Sequence, residues 1–187
     1  MTLDVLKRIW VCSLKIRAVS KSNGAVTKDS LLYYLEERDY SIVSLPFYRF
    51  FYIIEKKEEY QVTFHELLPG LITFCLFTRS EILGFVFHMI DEDRDNHVSK
   101  ADIFKQLLTS TPARVVDGVQ VGGQRVNPPN VTRAIELVYN TRGDNMNVTQ
   151  FAELVDRVPF IIFPAVRLQQ TMREKFGGKS LWRKVAS

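Results

Sequence analysis

Aspartates at alternate positions form the part of this sequence best suited to chemistry. Asp91, Asp93 and Asp95 follow an apolar stretch, residues 85–90, that is typical of a helix end. A second apolar helix start follows near Ile103. Carboxylates at every second position of a short loop supply the hard oxygen ligands that Ca²⁺ and Mg²⁺ prefer. The chemistry predicted for this stretch is therefore the binding of a divalent cation.

The stretch resembles the Ca²⁺-binding loop of the EF-hand superfamily, and the chain is similar to a calmodulin-like four-hand protein. In that family the cation is held from loop positions 1, 3, 5, 7, 9 and 12. We call residues 91–102 the metal loop and count Asp91 as position 1. The resemblance then implies six ligands, of which the position-7 residue contributes its backbone carbonyl: Asp91, Asp93, Asp95, His97, Ser99 and Asp102.

Two positions of the metal loop depart from the family pattern. Asn96 stands where the family has glycine, and asparagine is the non-glycine residue that best tolerates a positive φ. Asp102 stands where the family has glutamate, and its side chain is one methylene shorter. We therefore expect weaker Ca²⁺ binding and stronger competition from Mg²⁺. A solvated acidic turn without metal is the competing interpretation.

A 36-residue repeat extends the resemblance over most of the chain. Val26, Val62 and Val98 each precede a hydroxyl residue and an apolar helix start. A fourth copy, displaced along the chain, is expected at Val148-Thr149. With four such repeats, the resemblance implies an all-α fold of two EF-hand lobes, made from four helix–loop–helix repeats and followed by a basic helical tail.

Three of the four predicted loops lack a suitable set of ligands. Loop one has Val19 and Ser30 at positions 1 and 12, and loop four holds Asp144 as its one acid. Loop two, residues 55–66, has glutamates but places Lys57 at position 3, where it acts as a competing cation. We expect these loops to be structural.

In the EF-hand family the two loops of a lobe pair by a short antiparallel β-contact, so the resemblance implies the same pairing here. The β-branched residues at loop position 8 suit that role. Residues 25–27 are expected to pair with residues 61–63, and residues 97–99 with residues 147–149. The predicted segments are an N-terminal lobe, a C-terminal lobe that carries an insertion, and a tail: residues 1–78, residues 79–158 with the insertion at 110–130, and residues 159–187.

Charge and composition restrict the class of partner. The net charge of +4 is concentrated after Val166, where six basic residues accompany one acid. This favours an acidic protein surface, and no base-reading motif points to nucleic acid. The two cysteines are expected to be reduced core thiols. No apolar run reaches the length of a membrane span, and no secretory signal or lipid-anchor motif is visible, so a cytoplasmic protein is expected.

The tail has the pattern of a basic amphipathic helix with a terminal tryptophan. The residues predicted to bind a partner are four apolar and four basic ones: Leu168, Met172, Phe176, Trp182, Arg173, Lys179, Arg183 and Lys184. Three interpretations remain open. The tail docks on a partner, docks on its own chain as an autoinhibitory segment, or completes the core of the second lobe.

The sequence favours a non-enzymatic Ca²⁺-binding regulator or adaptor, since it shows no catalytic motif outside the metal loop. The partner would have an acidic surface or a helix that docks in a lobe groove. One alternative is a Ca²⁺-insensitive structural component of the cytoskeleton or of a ciliary or flagellar axoneme. Acidic polymers such as tubulin would suit its tail, which weakly resembles tails of axonemal EF-hand proteins. Another alternative is a regulatory subunit similar to calcineurin B.

Overall fold

A computed structural model describes most of the chain. The described residues are 3–19, 25–35, 40–54, 61–110, 120–121, 124–125, 133, 136–138, 140, 143–178 and 181–182. The chain is mostly helical in these ranges, which confirms the predicted all-α class.

Eight α-helices and six two-residue strands have assigned bounds within the described ranges. The helices are α1 (Leu3–Val19), α2 (Lys28–Leu35), α3 (Tyr40–Ile54), α4 (Phe64–Leu76), α5 (Arg79–Ile90), α6 (Lys100–Ser110), α7 (Val148–Arg157) and α8 (Phe163–Lys175). The strands are β1 (Val26–Thr27), β2 (Gln61–Val62), β3 (Val98–Ser99), β4 (Gln120–Val121), β5 (Gln124–Arg125) and β6 (Asn145–Met146). A 3₁₀ turn, Pro159–Ile161, links α7 to α8.

The chain forms two compact units whose composition differs from the predicted segments. Unit 1 comprises Met1–Arg38, Phe47–Phe77 and Arg167–Ser187, and unit 2 comprises Asp39–Pro46 and Thr78–Val166. Most of the tail is therefore part of the same unit as the first two repeats. Sequence spacing predicted the tail as a separate segment, because spacing does not show which distant surface a helix covers.

The core of unit 1 is rich in phenylalanine. Val26 pairs with Val62 in the antiparallel contact between β1 and β2, as predicted. Helix α4 continues through Pro69, although a proline inside a helix often causes a kink or an early end. Pro69 is only the sixth residue of α4, so its missing N–H removes one hydrogen bond near the start of the helix. Fully buried large side chains around these elements include Leu31, Phe47, Phe51, Leu67, Leu71 and Phe74.

The core of unit 2 forms where α5, α6, α7 and the 3₁₀ turn pack together. The rings of Phe87 and Phe151 meet edge to face with centroids 5.5 Å apart. The 3₁₀ turn contacts α6 and α7, and Ile161 and Ile162 are buried. In the insertion, β4 pairs with β5. The Asp117-Gly118 pair of the insertion is typical of a hairpin turn, but residues 111–119 lie outside the described ranges.

One local device sets the start of the helix that follows each predicted loop. The residue at loop position 9 and the residue at position 12 bond each other's backbone N–H groups, as in a capping box. The four pairs are Thr27 with Ser30, Thr63 with Glu66, Ser99 with Asp102 and Asn147 with Gln150. The hydroxyl residue after Val26, Val62 and Val98 is thus a helix N-cap, and Asn147 has this role after loop four.

This device corrects the predicted position of loop four. Because Asn147 is the N-cap, Val148 is the first residue of α7 and is exposed, and Met146 takes loop position 8. Val98 accordingly pairs with Met146, and Ser99 with Asn145. The predicted pairing of residues 97–99 with 147–149 was wrong by two residues. The insertion breaks the 36-residue spacing, and Val148-Thr149 imitates the Val–hydroxyl pattern.

Cys12 and Cys75 are free thiols. Burial raises the pKa of the Cys75 thiol to about 12, against a smaller lowering effect of Arg173. Cys75 is therefore a neutral, unreactive core residue at physiological pH. In the described part of the chain, no single helix is long and apolar enough to cross a membrane, although α4 and α5 taken together pass the same test of length and composition.

Two helical glycines give a matched test of packing. A Cβ at Gly70 would lie 2.5 Å from Ile54 Cδ1 and 2.6 Å from its Cγ1, whereas a Cβ at Gly84 would meet no atom within 4 Å. Alanine raises helix propensity by about 1 kcal/mol at either position, but overpacking at Gly70 costs about 1–3 kcal/mol. In urea unfolding, we expect Gly84→Ala to stabilise the protein and Gly70→Ala to destabilise it. Equal gains from both substitutions would contradict the packing around Gly70.

Candidate metal centre

The metal loop begins at the carboxyl end of α5. Asp91 is the C-cap of that helix, and its backbone N–H donates to the carbonyl of Phe87 over 2.9 Å. The Asp91 residue is only 3% exposed, so its position is fixed by the core. Asp93 and Asp95 are exposed. The first ligand of the predicted set is therefore anchored, and the next two project from the loop surface.

The structure brings three of the predicted ligands together. Carboxylate oxygens of Asp91, Asp93 and Asp95 lie within 4.8 Å of one another. Backbone N–H groups of the loop orient them. Asp91 Oδ1 accepts from Asp95 N over 3.2 Å, Asp91 Oδ2 from Asn96 N over 3.1 Å, and Asp95 Oδ1 from His97 N over 2.7 Å. The loop thus folds around its own carboxylates.

Two residues of the metal loop take the left-handed conformation. Asn96 has φ 63°, which is the conformation that the family glycine adopts at position 6 and that asparagine tolerates. Arg94 has φ 60° and is the less expected of the two, because arginine has no local side-chain bond to favour it. No residue type near position 4 indicated a positive φ there.

Ser99 and Asp102 lie outside the group of three carboxylates. Ser99 Oγ donates to Asp102 Oδ2 over 2.5 Å, and the N–H of Asp102 donates back to Ser99 Oγ over 3.2 Å. Both side chains are thus engaged in capping α6. Both capping bonds to this carboxylate end on Asp102 Oδ2, so Oδ1 is the oxygen that Asp102 can offer to a cation while the cap is kept.

Loop four supports the metal loop from the side. Besides the strand pairing, Lys100 N donates to the carbonyl of Asp144 over 3.0 Å. The Lys100 ammonium lies 3.9 Å from Asp144 Oδ1. With the corrected numbering, loop four has Gly143 at position 5 and Gln150 at position 12, so its predicted lack of suitable ligands still holds at these positions. Residues 20–24 of loop one and 55–60 of loop two, including Lys57, lie outside the described ranges.

Three carboxylates at this separation repel one another when ionised. At about 5 Å in a water-like dielectric, each pair of unit charges costs about 1 kcal/mol, and more where water is excluded. A divalent cation between them replaces these repulsions with attractions. The charge distribution of the metal loop therefore favours a cation, and oxygen-only side-chain ligands favour Ca²⁺ or Mg²⁺ over the softer transition metals.

The four apolar residues predicted to bind a partner are buried within the chain itself. All four belong to unit 1: Leu168, Met172, Phe176 and Trp182. The ring centroids of Phe176 and Tyr34 are 5.4 Å apart. These tail residues therefore pack on their own chain, in unit 1 with the first two repeats and not in unit 2. Lys179, Arg183 and Lys184, which were also predicted to bind a partner, lie outside the described residues.

Polar side chains of α8 fix this arrangement by satisfying the last carbonyls of α4. Gln169 Nε2 donates to Phe74 O and Phe77 O over 2.9 and 2.8 Å. Arg173 Nε donates to Cys75 O over 2.6 Å. Helix carboxyl ends carry unpaired carbonyls and partial negative charge, so a guanidinium is well suited there.

Backbone carbonyls near the carboxyl end of α8 also accept hydrogen bonds from side chains. Trp182 Nε1 donates to Arg173 O over 3.0 Å, and Tyr34 Oη donates to Lys175 O over 3.2 Å. Gly177 and Gly178 follow with positive φ values of 131° and 80°. Gln169 was missed as a key residue. Its spacing of four from Arg173, beside the apolar stripe, was the available signal.

The sequence was compared with models of known protein families and with curated proteins, and neither comparison gave a match. The interpretation of the metal loop therefore depends on its own residues and geometry.

Proposed function

We propose that this chain is a non-enzymatic EF-hand protein that binds one Ca²⁺ ion and acts as a regulator or adaptor. The observation that carries the proposal is the convergence of Asp91, Asp93 and Asp95 in a loop that turns with a left-handed Asn96. The pairing of β3 with β6 adds a second loop at the same side, as in a paired-loop lobe.

The ligand set that supports this proposal has two parts. Asp91, Asp93 and Asp95 are close enough to hold a cation together. Ser99, Asp102 Oδ1 and the His97 carbonyl complete the proposed set. Because Asp102 Oδ2 is engaged in the cap and aspartate is shorter than glutamate, position 12 offers one oxygen instead of two, which favours modest affinity and competition from Mg²⁺. Such a site transmits a signal of about 1–3 kcal/mol.

An Asp102→Glu substitution tests the role of position 12. The longer side chain reaches the cation with both oxygens, so we expect Ca²⁺ affinity to rise by about tenfold, or about 1.4 kcal/mol. Competition with a chromophoric chelator measures the change. Gln150→Glu is the matched control, since it places the same side chain at position 12 of loop four, where affinity should not change. Unchanged affinity in Asp102→Glu would show that position 12 does not reach the ion.

A Ca²⁺-insensitive structural component is the second candidate function. The observation that favours it is the engagement of Asp102 with Ser99, the same capping arrangement found after the other three loops. In that case all four loops serve only to pair helices. The protein would then be a cytoplasmic adaptor in a cytoskeletal, ciliary or flagellar assembly, with tubulin or another acidic protein as partner. A Ca²⁺ titration without binding, combined with a correctly folded protein, would favour this candidate.

A further inference from the structure

Helix α1 is apolar on two sides, and only one of them is covered by the core of unit 1. Ile9 and Ile16 are fully buried. Trp10, Val11 and Leu14 are 46%, 50% and 46% exposed, and they lie on the other side of the helix. Surface helices of globular proteins normally have a polar outer face. A contiguous group of a tryptophan, a valine and a leucine on that face is typical of an interaction site.

Neighbouring residues enlarge and charge this surface. The ring of Trp10 meets the half-buried ring of Phe64 edge to face, with centroids 5.3 Å apart. Lys7 and Lys15 are exposed on the same side of the helix. They are the charged residues among the α1 side chains that the structure describes. We call Lys7, Trp10, Val11, Leu14 and Lys15 the α1 face.

The tail cannot cover the α1 face in this structure, since its own apolar residues are already buried elsewhere in unit 1. Leu168, Met172 and Phe176 are fully buried, and Trp182 is nearly so. The α1 face therefore needs an occupant other than the tail residues that were predicted to dock.

We propose that the α1 face binds an amphipathic helix of a partner protein whose apolar stripe is flanked by acidic residues. Charge complementarity carries the choice of occupant. Lys7 and Lys15 are eight residues apart, which is about 12 Å along the helix axis. They bracket Trp10, Val11 and Leu14, so two carboxylates spaced seven or eight residues apart on a partner helix can pair with them. The α1 face also contains Trp10, and tryptophan is among the residue types enriched at binding hot spots.

A designed peptide tests the proposal with the full chain in EDTA, so that the result does not depend on the metal loop. The probe is a helical peptide with leucines at positions i, i+3, i+4 and i+7 and glutamates at the flanking positions. A matched peptide carries lysines in place of the glutamates. Docking buries the half-exposed indole of Trp10, so tryptophan emission should shift to shorter wavelength, whereas Trp182 is already buried.

We expect the acidic peptide to bind and the lysine peptide not to bind. The double variant Lys7→Glu/Lys15→Glu should weaken acidic-peptide binding by at least tenfold and acquire binding to the lysine peptide. Val11→Ser/Leu14→Ser should abolish binding, and Ile53→Ser, at an exposed apolar residue elsewhere in unit 1, should leave it unchanged. Because charges are involved, the affinity should fall as salt is added.

Three results would overturn the proposal. The first is equal binding of both peptides, or binding that the α1-face variants leave unchanged. The second is binding of the wild-type chain to phosphatidylserine vesicles, lost in Val11→Ser/Leu14→Ser, without binding of the acidic peptide. The third is self-association of the wild-type chain in sedimentation that the same variant removes, which would make a second copy the occupant.

Discussion

Asp91→Asn is expected to abolish Ca²⁺ binding. Asp91 is the anchored residue of the proposed ligand set, and both of its oxygens accept backbone N–H groups from Asp95 and Asn96. Asparagine has nearly the same shape, so the loop keeps its size, but one of three clustered negative charges is lost. The amide also presents a donor where Asn96 N–H or the cation needs an acceptor. We expect affinity to fall by about 100-fold or more, or at least about 2.7 kcal/mol.

Asp144→Asn is the control for this substitution, since Asp144 is an exposed acid in the neighbouring loop that lies against Lys100. Like Asp91→Asn, this substitution removes one negative charge from unit 2. Ca²⁺ affinity should nevertheless change by less than about twofold. Circular dichroism in EDTA should show both variants folded. If Asp91→Asn and Asp144→Asn weakened Ca²⁺ binding equally, binding would depend on the general negative charge of unit 2 and not on a defined site.

Phe176→Ala is expected to destabilise the protein by about 3–5 kcal/mol, the usual cost of deleting a buried aromatic ring. Phe176 is fully buried in unit 1 and contacts the ring of Tyr34. Its backbone N–H also closes the last turn of α8 by donating to Met172 O over 2.9 Å. Removing the ring leaves a cavity between the tail and α2 and weakens the cis packing of residues 168–182. The measurement is urea-induced unfolding, read as the change in midpoint at constant slope.

Ile53→Ala serves as the control for Phe176→Ala. Ile53 is an apolar residue of the same unit that is 60% exposed, so its truncation should cost less than about 0.5 kcal/mol. If Phe176→Ala had an equally small effect, the tail would not be part of the folded core of unit 1. Its apolar stripe would then be available to a partner, which is the interpretation that the cis packing argues against.

The sequence was sufficient to predict local features that depend on nearby residues. The alternation of Asp91, Asp93 and Asp95 predicted a group of carboxylates, and the Val26–Val62 contact followed from the 36-residue repeat. The position of loop four was not predictable by spacing, because the insertion removes the repeat distance and only the N-cap role of Asn147 fixes the register.

Long-range packing was the part that the sequence could not supply. Leu168, Met172 and Phe176 recur every four residues, which predicts an apolar helix face but does not say what covers it. The covering surface is made by residues about 100 positions away, such as Phe74 and Cys75, whose carbonyls bind Gln169 and Arg173.

A calorimetric titration of the full chain with Ca²⁺, with and without about 1 mM Mg²⁺, tests the central claim most directly. The predicted result is one site with a dissociation constant in the micromolar range, weakened by Mg²⁺ and lost in Asp91→Asn. A stoichiometry of one would identify the metal loop as the functional site of a regulator. An absence of binding heat up to about 100 μM Ca²⁺, confirmed by an unchanged thermal midpoint with added Ca²⁺, would contradict the account and leave the structural adaptor in its place.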